Sequence, residues 1–175
     1  MKSDFILIPF NQDTAPQVNI TGKVQRQDNQ LAIAYKLSGT DILIPPLANS
    51  PKRQFDLWLH TCCEFFLCIP DSSQYWEFNL SPAGHWNVFR FLDYRQNIAE
   101  ETAFETLPFE VISQSDYLEV NLTVDLNQII ATTQHLQLGV TAVIEDRQHQ
   151  LSYWALSHPG KEADFHLRES MAIFL

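Results

Sequence analysis

Positive charge is scarce in this chain. Its 175 residues carry 11 Lys and Arg against 21 Asp and Glu, a net charge of −10. Nucleic acid and anionic membrane surfaces both call for a basic stripe, and the only close basic pair is Lys52-Arg53, so neither is expected as a partner. Long apolar runs are missing as well. Nothing approaches the roughly 20 residues of a membrane-spanning helix. The short apolar run at residues 5–8 is too brief for a secretory signal and lacks a small-residue cleavage site. The expected compartment is cytoplasmic. Cysteines number three and cluster at Cys62, Cys63 and Cys68. In a strand, neighbours such as Cys62 and Cys63 point to opposite faces and are poorly placed for a disulfide, so buried free thiols are expected. There is no internal repeat, no low-complexity linker and no compact metal-ligand spacing.

What is present suits a single folded domain over residues 1–175. The chain is 45% hydrophobic and 12% aromatic, with 12 Phe, enough for a dense core. Period-2 alternation recurs. It is clear at residues 18–24 and 31–37, and cleanest at 117–124, where Leu118, Val120, Leu122 and Val124 face one way and Glu119, Asn121 and Thr123 the other. Residues 42–44, stopped by Pro45-Pro46, read as an edge or crossover, and residues 126–131 as a short helix capped by Asp125. About ten short strands at this spacing, with few helices, predict an all-β antiparallel sandwich or jelly roll.

The densest information lies between Asp56 and Arg95. This stretch holds three of the four tryptophans, all three cysteines, and polar residues set among large apolar ones. It reads as three successive strands divided by turns at residues 70–73 and 81–84. On the first, Trp58, His60, Cys62, Glu64 and Phe66 share one face, and the opposite face is core. On the second, Tyr75, Glu77 and Asn79 share a face. Matching the polar faces through the turn puts Glu64 opposite or near Asn79, and Glu77 near Phe66. A pocket with polar edges and apolar faces is therefore expected. The expected ligand groups are Trp58 and Trp86 for stacking. His60, Glu64, Glu77, Asn79 and Arg95 would hydrogen-bond, and the loop carrying His158, Asp164 and His166 reads either as plain surface or as a flap folded over the rim.

Glu64, Phe65 or Phe66, Leu67 and Pro70, followed by Glu77, Phe78, Ser81, Pro82 and Gly84, resemble a hairpin of the DOMON-like domains and of their relatives, the family-nine carbohydrate-binding modules. The segment SYWALSHPGKEADFHLRES resembles the ending of the bacterial stand-alone DOMON-like proteins. The resemblance covers roughly a third of the chain and implies a β-sandwich that binds sugars or haem, with Tyr75 or Tyr94 as a further ring to stack on a pyranose. Haem-binding members use a Met and a His. Here the only methionines are Met1 and Met171, outside the central stretch, so a sugar or sugar-like small molecule and no cofactor are expected.

Three other readings use the same residues. Glu64 and Glu77 could serve as the acid/base pair of a carbohydrate hydrolase. His60, Cys62 and Glu64 could bind zinc together with His158 or His166. An exposed aromatic patch could dock a protein. The oligomeric state is not encoded in any motif.

Overall fold

A computed structural model describes residues 1–175. It contains twelve strands: β1 (Lys2–Pro9), β2 (Asn19–Gln27), β3 (Gln30–Ser38), β4 (Cys62–Cys68), β5 (Tyr75–Leu80), β6 (Trp86–Phe91), β7 (Ala99–Glu100), β8 (Phe109–Ser113), β9 (Tyr117–Asp125), β10 (Gln137–Glu145), β11 (Leu151–Ala155) and β12 (Ile173–Phe174). All ladders are antiparallel, in the order β7-β6-β5-β4-β10-β11-β1-β2-β3-β9-β8, with β12 also on β10. Strand β1 joins the two layers. Its residues 2–7 pair with β2, and Ile8 and Pro9 pair with β11. The all-β sandwich expected from the alternation is the observed fold. Its regular helix is confined to two single 3₁₀ turns, Leu57–Leu59 and Arg168–Ser170.

The first layer, β1-β2-β3-β9-β8, is amphipathic. In β9 and β3 every second residue is buried and the alternate ones meet solvent or half-meet it, the pattern of an antiparallel sheet wet on one face. Its inner residues include Ile33 and Tyr35 of β3, with Val120 and Leu122 of β9. They interlock with Phe65, Leu67, Trp76, Phe78, Val88, Leu138 and Val140 of the second layer in one core. Gly22 admits this packing. The Phe5 ring fills the space a side chain would take, and an added Cβ would lie 2.1 Å from the Ala34 carbonyl oxygen.

The second layer differs. Every residue of β4 and β5 is buried, and β10 is buried from Leu138 onward. Its outer face must therefore be covered. The cover is the C-terminal segment, which lays Phe165 and Met171 over Phe66, Cys68, Tyr75, Phe89 and Phe91. Gly139 of β10 makes room, since a Cβ there would lie 2.9 Å from Met171 Cγ. Gln137 Nε2 donates to the Met171 carbonyl at 2.7 Å, and Arg168 donates to the carbonyls of Ile69 and Ser72. The three cysteines are buried and unpaired. Residues 42–44, read as an edge or crossover, form no strand, and the Leu43 N–H donates to the Glu145 carbonyl at 2.8 Å. The expected helix at 126–131 is absent: residues 126–130 close only one turn, with Asp125 accepting from the Asn127 N–H.

Candidate binding pocket on the covered sheet face

Between that outer face and its cover lies a cavity of about 370 Å³. Its floor comes from Glu64 and Phe66 of β4, Glu77 of β5, Phe89 and Phe91 of β6, and Val143 of β10. Trp58, Arg95, Ile98, Tyr153, Phe165 and His166 rise around it. The hairpin register is the expected one. Glu64 faces Asn79 directly, and Phe66 faces Glu77. The two carboxyl side chains are thus diagonal neighbours on one face, with backbones about 7–8 Å apart.

The polar groups form a connected set with two loose ends. Asn79 Nδ2 donates to Glu77 Oε1 at 2.8 Å, and the hydroxyl of Thr141 is 3.5 Å from Glu64 Oε2. Glu64 Oε1 and Asn79 Oδ1 are buried with no hydrogen-bond partner. Tyr75 accepts from the Arg95 backbone N–H at 3.1 Å, which directs its own proton to His166 Nδ1, 2.8 Å away. His166 Nε2 then faces Glu77 Oε2 across 3.8 Å, too far for a hydrogen bond. The ring also packs edge-on against Phe66 and Phe91, each at 5.1 Å.

Burial governs the protonation of these groups. It pushes the Glu64 carboxyl well above the ordinary carboxylate range, and the charge of Glu77 pushes the same way. Burial also raises Glu77, to about 7, against the opposing pull of the Asn79 hydrogen bond and of Arg95. It lowers His166 to about 4, helped by Arg95. The Tyr75 hydroxyl is raised to about 12, again chiefly by burial. Near neutral pH His166 is therefore uncharged.

Of the residues expected here, Trp58, Glu64, Glu77 and Arg95 meet at the cavity. Asn79 is fully buried behind Glu77 and acts on it rather than on the opening. Tyr94 lies just outside, where its hydroxyl binds Asp164 beside the Arg95–Asp164 pair at 3.0 Å. Three residues are elsewhere. Trp86 is on the core face, because β6 begins at Trp86 in the phase that turns Asn87, Phe89 and Phe91 outward; its ring packs under the Arg53 guanidinium at 4.3 Å. His60 follows the 3₁₀ turn that replaces the expected start of β4. Asp56 takes a left-handed conformation there (φ 61°), the alternation is lost, and the exposed His60 donates through Nδ1 to Glu145 at 2.7 Å. The same turn sets Trp58 edge-on to Phe89, at 5.9 Å. His158 binds the Ile8 carbonyl at 2.9 Å and packs on Phe10. With His60 and His158 apart from Glu64, the zinc set is not assembled, and no group of three or more His, Cys, Asp or Glu side chains is placed to hold a metal ion. Sequence reasoning missed Phe89, Phe91, Tyr153 and Phe165. The first two carried a signal, since they share the β5-matched phase of β6.

No family model matches the sequence, and no curated protein matches it. Solved structures do. A Bacteroides uniformis protein provisionally assigned to carbohydrate binding superposes with a TM-score of 0.76, covering 97% of this chain and 84% of that one at 10% identity. A family-nine carbohydrate-binding module of Caldicellulosiruptor kristjanssonii, in complex with cellotriose, gives a TM-score of 0.58 over 97% of this chain and 80% of that one, at 11% identity. The chain has the fold of the family-nine carbohydrate-binding modules. A second structure of such a module from the same organism, in complex with glucose, gives a TM-score of 0.50 over 82% and 69% of the two chains at 12% identity. Within this module fold, the cavity is walled by side chains of the second layer and of its C-terminal cover.

Proposed function

We propose that this chain is a non-catalytic sugar-binding domain of the DOMON-like type, and that the covered face of its second sheet takes one sugar or sugar-like molecule. One observation carries the reading. Glu64 Oε1 is buried without a partner at the wall of an aromatic-lined cavity. A buried polar atom left unsatisfied costs about 1–3 kcal/mol, and a hydroxyl-rich ligand would satisfy it. Trp58 and the Phe89 ring would pack on the apolar face of a pyranose. Glu64, Glu77 and the Arg95 guanidinium would bind its hydroxyls. The fold of the carbohydrate-binding modules supports the same reading. Net charge of −10 supports a small-molecule partner rather than nucleic acid or membrane.

Titration calorimetry against a panel of monosaccharides and disaccharides tests it. Binding in the micromolar to millimolar range is expected, with Trp58→Ala weakening it about tenfold or more, a loss of about 1.4 kcal/mol or greater. A panel without a binder, or a Trp58→Ala variant of unchanged affinity, would refute it.

The hydrolase reading keeps one observation in its favour: a carboxyl raised to about 7 beside a second carboxyl is the environment of a general acid. Release of nitrophenol from aryl glycosides, lost in Glu77→Gln, would favour it over binding alone.

A further inference from the structure

The cavity carries more acid than a neutral sugar needs. Glu64 and Glu77 both line it, 2% and 7% exposed. Neither has a cationic partner within hydrogen-bond distance. The Arg95 guanidinium pairs with Asp164 through Nη2 at 3.0 Å and bonds to neither acid. His166 spends Nδ1 on the Tyr75 hydroxyl, and its Nε2 stops 3.8 Å short of Glu77. Glu64 Oε1 has no partner at all. Six aromatic rings surround these two acids: Trp58, Phe66, Phe89, Phe91, Tyr153 and Phe165. Carboxylates set among aromatic faces are the surroundings an ammonium group prefers, because ring quadrupoles and anions attract it together.

We propose that the ligand carries a protonated amino group, held between Glu64 and Glu77 against the aromatic wall, so that the site takes an amino sugar in preference to its neutral parent. This rests on the sugar reading of the same cavity and narrows it. The ammonium replaces the proton that the acid pair holds in the free protein, so binding releases a proton to solvent. The groups facing Glu77 are Glu64 and the Cys62 thiol from β4, Tyr75 on its own strand, Arg95 from the turn after β6, and His166 with Asp164 behind it from the C-terminal segment. Strand β6 presents only Phe89 and Phe91. The preference for the amine opens as pH rises through about 7, where Glu77 ionises, and closes once the amine itself becomes neutral.

The test is calorimetry near neutral pH with glucosamine, galactosamine and mannosamine, each against its parent hexose and its N-acetyl derivative. At least one amino sugar is expected to bind about tenfold or more tightly than both neutral counterparts, as one charge-assisted contact gives. Its apparent enthalpy should vary with the ionisation enthalpy of the buffer, the sign of the released proton. Glu77→Gln, checked for folding by its melting curve, should erase the difference between amine and parent. Neutral sugars binding as tightly as the amines would overturn this proposal and leave the sugar reading standing. Failure of every sugar to bind would overturn both.

Discussion

Replacing Glu77 with Gln should make the protein more stable in mild alkali while it weakens ligand binding. Burial raises this carboxyl from an ordinary 4.5 to about 7. In the unfolded chain it gives up its proton near the ordinary value, but in the fold it keeps it until about 7. Between those two pH values the folded state binds more protons, so stability contributed by this group falls as pH rises. Below the ordinary value both states are protonated and there is no penalty. Above about 7 the penalty is complete and, at about 1.36 kcal/mol per tenfold change in proton affinity, amounts to roughly 3 kcal/mol. Gln is neutral, of the same shape, and keeps an oxygen to accept from Asn79 Nδ2. At about pH 8 the variant should therefore gain up to about 3 kcal/mol, roughly 6–12 °C in Tm for a chain of this length. Near the ordinary carboxylate value the two proteins should melt together. Removing the Glu77 charge also relieves its repulsion on Glu64, which acts in the same direction, so the difference between the curves reports the coupled acid pair. Scanning calorimetry or urea unfolding across the range measures it. A variant less stable at about pH 8, or an offset that does not change with pH, would show that the charge is satisfied by the fold and refute the argument.

Two further substitutions probe placement. His60→Ala and His158→Ala should leave ligand affinity within about twofold, because these imidazoles bind Glu145 and the Ile8 carbonyl away from the cavity; calorimetry with the best-bound sugar decides it, and a tenfold loss in either would contradict the placement. Gly22→Ala puts a methyl 2.1 Å from the Ala34 carbonyl oxygen and 2.3 Å from the Phe5 ring, so a stability loss of several kcal/mol or failure to fold is expected; a melting curve near wild type would show that the β2–β3 ladder can yield.

The strands that face water on one side were the most legible. In β9 the alternation written in Leu118 to Val124 is the alternation of burial, because a sheet wet on one face must sort its side chains that way. The register of the β4–β5 hairpin was legible for a related reason. Glu64, Glu77 and Asn79 share a phase that only one pairing satisfies, and that pairing is observed. The start of β4 was not legible. Residues 57–60 continue a period-2 pattern on paper, yet a left-handed Asp56 and a 3₁₀ turn take them out of the strand. Period alone cannot report a backbone break whose residues keep the right spacing. Trp86 failed for the complementary reason. The turn after β5 can restart β6 in either phase, and two large apolar sets, Trp86 with Val88 and Phe89 with Phe91, fit either face.

The half of the site that comes from the C-terminal segment has no period to read, because it is placed by ties that cross the fold. Asp164 holds Arg95 and Tyr94, Arg168 holds the carbonyls of the β4–β5 turn, and Gln137 holds the Met171 carbonyl. These ties bring Phe165 and His166 onto a sheet face that already carries two acids. The burial they impose is what raises Glu64 and Glu77 and lowers His166. A sheet left open on that side would keep its carboxylates hydrated, ionised and weakly selective. Covering the face creates the cavity and sets its protonation in one step, so loss of the Arg95–Asp164 contact should change affinity and the pH at which Glu77 ionises together rather than separately.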